Sequence, residues 1–135
     1  MAEPLTEAQY RSLARFRHAL RRFQRFSEDA ARSAGLTPSQ HQLLLAVRGF
    51  DGPDAPSVTA IGELLQLQLH SAGELVARAE SNGLVERRAD PADGRRTLVH
   101  LTADGMAMLE GLSVQHRDEL RRFRREMNDV LRELD

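Results

Sequence analysis

Between residues 10 and 30 apolar side chains recur every three or four positions, at Tyr10, Leu13, Phe16, Leu20, Phe23, Phe26 and Ala30. This spacing predicts a long amphipathic helix from about Thr6 to Arg32. Gly35 suits its C-terminal cap. Thr37-Pro38-Ser39-Gln40 then supplies an N-cap hydroxyl, a proline at the first helical position and a glutamine at N3, the pattern of a capping box. The second helix that starts there carries Leu43, Leu44, Leu45 and Val47 and stops near Gly49. It is followed by the breaker-rich, exposed connection Asp51-Gly52-Pro53-Asp54-Ala55-Pro56.

Val58 is expected to form a very short strand, after which Thr59 caps a brief third helix with Ile61, Leu64 and Leu65 turned inward. A fourth helix, about Leu69 to Asn82, places Ala72, Leu75, Val76 and Ala79 on one face and Ser71, Glu74, Arg78 and Ser81 on the other. Asn82-Gly83 ends it, since both residues tolerate the left-handed backbone of a helix end. Leu84 to Ala89 and Thr97 to Leu101 alternate as a β-hairpin around Asp90-Pro91-Ala92-Asp93-Gly94-Arg95-Arg96. Thr102 caps the last helix, whose seam runs through Met106, Leu109, Ser113, His116, Leu120, Phe123, Met127, Val130 and Leu134. Gly111 and Ser113 predict a bend there, or a break into two helices.

Two short helices followed by an arginine-tipped hairpin are the order of a winged helix-turn-helix, a mainly α fold with a small β-hairpin wing that can engage adjacent surfaces of a DNA duplex. The long seams at both ends of a short chain need partners, which predicts a homodimer. A length of 135 residues fits one domain. The opening MAEPLTEAQYR lacks a secretory apolar core and no apolar run reaches membrane-spanning length, so the expected location is the cytoplasm, with no membrane partner. Cysteine is absent, which excludes disulfides and thiolate metal sites.

Charge changes the picture more. The net charge is -1, whereas DNA-binding domains usually present a basic field, so any basicity must be local. Around the hairpin turn Arg87, Arg88, Arg95 and Arg96 face Glu86, Asp90 and Asp93, a surplus of one positive charge. The histidines at 18, 41, 70, 100 and 116 include no pair at helical i, i+4 spacing, so no metal site is expected; His116 on the seam suits a polar specificity element or a titrating group between helices. No nucleophile elbow, P-loop or dinucleotide fingerprint occurs, so neither an enzyme nor a cofactor is expected.

Over nearly its whole length the chain resembles the MarR family of bacterial transcriptional regulators. LTPSQHQLLLAV in the second helix, SNGLVER at the passage into the first wing strand, and DPADGRRTLVHLT through the wing carry the likeness, and Asp93-Gly94-Arg95 matches the family's Asp-x-Arg wing element. The resemblance implies a single domain over 1–135. A winged helix-turn-helix lobe spans about 37–101, and dimerisation helices at about 5–34 and 103–134 interlock two subunits. It also implies an effector-responsive repressor that binds a pseudo-palindromic double-stranded operator, with a small aromatic compound as effector. Phe16, Phe23, His41 and Arg15 lie where such a compound would sit, but core packing explains the phenylalanines equally well. The ligand residues are unassigned.

Aligned on Asn82-Gly83-Leu84-Val85, the resemblance puts Gln68, His70, Ser71, Glu74 and Arg78 on or beside the DNA-facing side of the fourth helix. Gln68, His70 and Ser71 stand at the helix start, where backbone N–H groups favour phosphate. Arg95 at the hairpin tip suits a narrow minor groove, Asp93 would hold the tip, and Arg96 completes the basic turn. Glu74 departs from the basic or hydroxyl residue frequent in relatives. Its carboxylate can accept a bond from cytosine N4 or close a capping box with Ser71, and both readings stand. The opposing functional reading is a winged-helix protein-interaction module without DNA binding, which near-neutral charge and Glu74 permit.

Overall fold

The computed structural model describes residues 2–134. The elements run α1 (Glu7–Ser33), α2 (Pro38–Arg48), α3 (Val58–Leu65), α4 (Leu69–Ser81), β1 (Val85–Ala89), β2 (Thr97–Leu101) and α5 (Ala103–Leu134). The chain divides into two compact units, one made by α1 up to Ala30 with α5 from Ser113 onward, the other by Ala31–Leu112.

The second unit is the winged helix-turn-helix. α1 ends in a Schellman arrangement: Gly35 takes φ 86°, its N–H reaches the Arg32 carbonyl at 3.0 Å and the Leu36 N–H reaches Ala31 at 2.9 Å. The capping box of α2 is complete, with Gln40 N–H on Thr37 Oγ1 and Thr37 N–H on Gln40 Oε1, both at 3.1 Å. Leu43, Leu44, Ile61, Ala72, Val76, Ala79 and Val99 are fully buried and form the core on which α2, α3, α4 and the hairpin meet. At about 25 cal/mol per Å² of apolar surface removed from water, such burial is the main term holding the unit together.

Four expectations about local structure are corrected, the first being Leu64, which is expected inward on α3 and is 54% exposed. α3 is capped by Ser57, whose hydroxyl accepts from Ala60 N–H at 3.1 Å, and Thr59 lies inside the helix. Val58 is the first residue of α3; the extended element lies one residue earlier, where Ser57 bridges Leu98 and Val99 N–H donates to the Pro56 carbonyl at 2.9 Å. α5 runs as one helix from Ala103 to Leu134, without the break expected at Gly111 and Ser113. A helical glycine costs only about 1 kcal/mol, too little to break an element held along its length.

β1 and β2 pair antiparallel from Val85↔Leu101 to Ala89↔Thr97. Thr102 fastens the hairpin base. Its hydroxyl donates to the Gly83 carbonyl at 2.6 Å and accepts from Gly105 N–H at 3.0 Å, and its own N–H reaches the Leu84 carbonyl at 3.1 Å.

In the other unit α1 and α5 pack side by side and antiparallel. Along α1 the partners progress from Ser12 and Arg15 on Glu133, through Arg22 on Glu126 at 3.1 Å, to Ser27 on His116 at 3.0 Å. Phe23 stacks on Phe123 with ring centroids 5.2 Å apart, and Phe26 meets the His116 ring edge-on at 5.2 Å. Tyr10, Leu13, Leu120 and Leu131 stay exposed. Among the described residues no helix is long and apolar enough to cross a membrane.

Candidate nucleic-acid interface

α3 and α4 join through a tight turn. Leu67 N–H donates to the Gly62 carbonyl at 2.8 Å, and a Cβ on residue 62 would stand 3.1 Å from the Leu67 oxygen. Gln66 bridges the turn at φ 55°, the left-handed region that side chains other than glycine adopt at a cost. The turn fixes where α4 starts. Its N-cap is Gln68, with no side-chain cap bond.

α4 buries Ala72, Val76 and Ala79 and exposes His70, Ser71, Glu74 and Arg78, so the polar residues form one stripe at three- and four-residue steps. Gln68 is exposed at its head. Because Gln68 is the cap, Ser71 already lies within the helix and the Ser71–Glu74 capping box does not form. Glu74 instead faces His70, with Oε1 3.3 Å from Nε2. The first-turn N–H groups of α4 therefore lack a side-chain cap, a position suited to an anion.

Beside this stripe runs a cleft of about 340 Å³ whose walls include Thr37, Ser39 and Gln40 from the start of α2 and Ser71, Glu74 and Arg78 from α4. Thr37 and Ser39 join the surface only through tertiary packing. The spacing of the sequence shows them as helix-start residues and nothing more.

The wing turn is held by two aspartates. Asp90, nearly buried, accepts from Ala92 N–H at 2.9 Å, and its own N–H donates to the Arg96 carbonyl at 3.0 Å. Asp93 Oδ1 accepts from Arg95 N–H at 3.1 Å and from its Nε at 3.3 Å. The Arg95 side chain is nonetheless 93% exposed, and its terminal nitrogens project beyond the bonded Nε. Arg96 Nη1 lies 3.8 Å from Asp90.

The tertiary structure also removes the local charge surplus. Glu80 at the back of α4 receives the Arg87 N–H at 2.8 Å and the guanidinium at 2.9 and 3.0 Å, and Arg88 pairs with Glu86 at 3.1 Å. The Arg87 N–H first, then its guanidinium, hold the Glu80 carboxyl below the ordinary glutamate range. Every wing arginine thus has a carboxylate neighbour. Among the described residues no group of three or more His, Cys, Asp or Glu side chains could hold a metal.

Residues 34–96 match the family model described as MarR family. The transcriptional regulator HosA of Escherichia coli O111:H- is 39% identical over 74 residues, which are 55% of this chain and 53% of HosA; the chain spans about half the length of that curated relative. AbsC, a MarR family transcriptional regulator from Streptomyces coelicolor, superposes with a TM-score of 0.77 at 20% identity, over 99% of this chain and 91% of its own. An Escherichia coli MarR variant complexed with operator DNA superposes at 0.67 and 22% identity, over 79% and 75%. Both superpositions place the five helices and two-stranded wing of this chain in the same fold as those structures.

Proposed function

The winged-helix segment of this chain belongs to the MarR family, and on that premise we propose that the protein is a dimeric transcriptional regulator that binds double-stranded DNA in a sequence-specific way. The observation that carries the proposal is the stripe of α4, polar and exposed opposite a fully buried face, with an exposed arginine held at the wing tip. In this reading α4 enters the major groove, where Gln68, His70, Ser71, Glu74 and Arg78 meet phosphates and base edges. Arg95 enters the minor groove, held by Asp93, and Arg96 stands beside it. The solved Escherichia coli complex with operator DNA supports the fold's suitability for this task.

The exposed Tyr10, Leu13, Leu120 and Leu131 support a second copy of the chain as the partner of the α1–α5 unit, because large apolar side chains left in water on both of its helices gain by being covered. Two-fold symmetry then requires a pseudo-palindromic operator with half-sites about one helical turn, roughly 10 base pairs, apart. Regulation by a small aromatic effector completes the proposal. It rests on the family resemblance, and no lining residue is assigned to it.

The pairing of every wing arginine with a carboxylate favours the second reading, a protein-interaction module. In vitro selection from a random duplex pool, followed by binding at rising salt, separates the two. A regulator enriches a sequence and loses affinity steeply with salt through counterion release; a protein-only module enriches none.

A further inference from the structure

We propose that His70 and Glu74 read the operator as one unit, with His70 the positioning residue: its protonated ring holds the Glu74 carboxylate towards cytosine and couples DNA binding to uptake of a proton in each subunit. This rests on α4 being the recognition helix. His70 Nε2 stands 3.3 Å from Glu74 Oε1 across one helical turn, and the two side chains are 83% and 60% exposed. Glu74 is not drawn into the helix start, whose cap is Gln68.

A lone carboxylate on a DNA-facing helix is repelled by phosphates. Once one oxygen accepts a bond from an imidazolium N–H, the pair is neutral overall, and the second oxygen is left to accept from cytosine N4. When the ring loses its proton that compensation disappears and a net anion faces the duplex. Histidine is the side chain whose charge ordinarily changes between about pH 5 and 8, and phosphates brought near an imidazole favour its charged form. Affinity is therefore highest on the acid side of this window and falls as pH rises through it.

The neighbouring charges leave this assignment to His70. On α4 itself Arg78 lies one turn beyond Glu74. Among the described residues of the elements packed against α4, the charged or titratable ones are Glu63 on α3, His41 and Arg48 on α2, and Glu86, Arg87 and Arg88 on β1. Of these only His41 is a second histidine, and it is buried. His100, the histidine of the wing, stands near Glu86. Neither can mimic a change that follows residue 70.

The test uses the full chain and a duplex enriched from a random pool at about pH 6.5, with affinity followed by fluorescence anisotropy from about pH 6 to 8 at fixed ionic strength. Wild type should weaken at least about tenfold over this span, the scale of one or more linked protons. His70→Gln keeps an N–H for Glu74 but cannot titrate, so it should keep the base preference and lose most of the pH dependence. Glu74→Gln should flatten the profile and shift one operator position from cytosine towards adenine, the base that glutamine reads. Both residues are exposed, and far-UV circular dichroism checks that the variants fold. Parallel wild-type and His70→Gln curves on an enriched duplex would overturn this inference alone, as would an unchanged base preference in Glu74→Gln. Enrichment of no duplex would overturn it together with the DNA-binding reading.

Discussion

Gly105 in the first turn of α5 lies directly under the carbonyl of Leu84, so close that a Cβ at residue 105 would stand 2.0 Å from the Leu84 oxygen and 3.0 Å from its carbon. The contact is with backbone, which cannot rotate away as a side chain can. It fastens the start of α5 to the base of the wing, beside the bonds from Thr102 to Gly83 and Leu84. Gly105→Ala should therefore cost stability, although alanine is the better helix former, by about 1–3 kcal/mol for forced overpacking. Urea unfolding measures this. A variant as stable as wild type would mean that the helix start and the wing base do not press on each other.

The second prediction concerns assembly. Leu120 is half exposed, whereas Phe123 is already committed within the protomer to Phe23. Leu120→Glu therefore spares the Phe23–Phe123 pair and places a charge on the exposed face of α5. It should convert a dimer into monomer or unfolded chain in sedimentation velocity, and if the dimer is obligate the wild type has no stable folded monomer. A folded wild-type monomer at micromolar concentration would defeat the dimer proposal.

The third prediction isolates the wing. Arg95→Ala should weaken cognate and unrelated duplexes alike, apart from a lost preference for A·T tracts, and should lower the salt slope by about one per subunit if one phosphate contact is lost. Asp93→Ala removes the acceptor of both the Arg95 N–H and Nε, so it should weaken binding in the same non-selective manner. Unchanged affinity and salt slope in Arg95→Ala would leave the helix-turn-helix as the sole contact.

The fourth prediction is a pH dependence of stability. Glu80 is held below the ordinary glutamate range by the N–H of Arg87 and then by its guanidinium. Its proton is therefore bound less readily in the folded than in the unfolded chain. The resulting stabilisation is complete above the unfolded value, about pH 4.3 for glutamate, and is lost as pH falls through the lower folded value. Glu80→Gln should thus melt below wild type near pH 7, and the gap should narrow towards about pH 3. Glu133, lowered by Ser12 and then by Arg15, follows the same sign in the α1–α5 unit. Thermal melting at the two pH values decides it, and a gap independent of pH would contradict the assignment.

Features governed by neighbours three to five residues away are legible in the sequence, because their geometry is set by the local backbone. The period of α1 and α4, the Thr37–Gln40 box, and the left-handed Gly35 and Gly83 are of this kind. The choice between Ser57 and Thr59 as the cap of α3 is not, for either hydroxyl would serve locally; the pairing of Ser57 with Leu98, some forty residues on, brings Ser57 to the helix start. Glu74 offers two local partners, Ser71 three residues before it and His70 four before it, and the turn through Gln66 decides between them by starting α4 at Leu69. The α2 start beside Arg78, the Arg87–Glu80 link and the seat of Gly105 under Leu84 join residues that local periodicity cannot connect. These contacts exist only once the core has brought separate elements together, which is why the wing's charge balance, unlike its arginines, belongs to the tertiary structure.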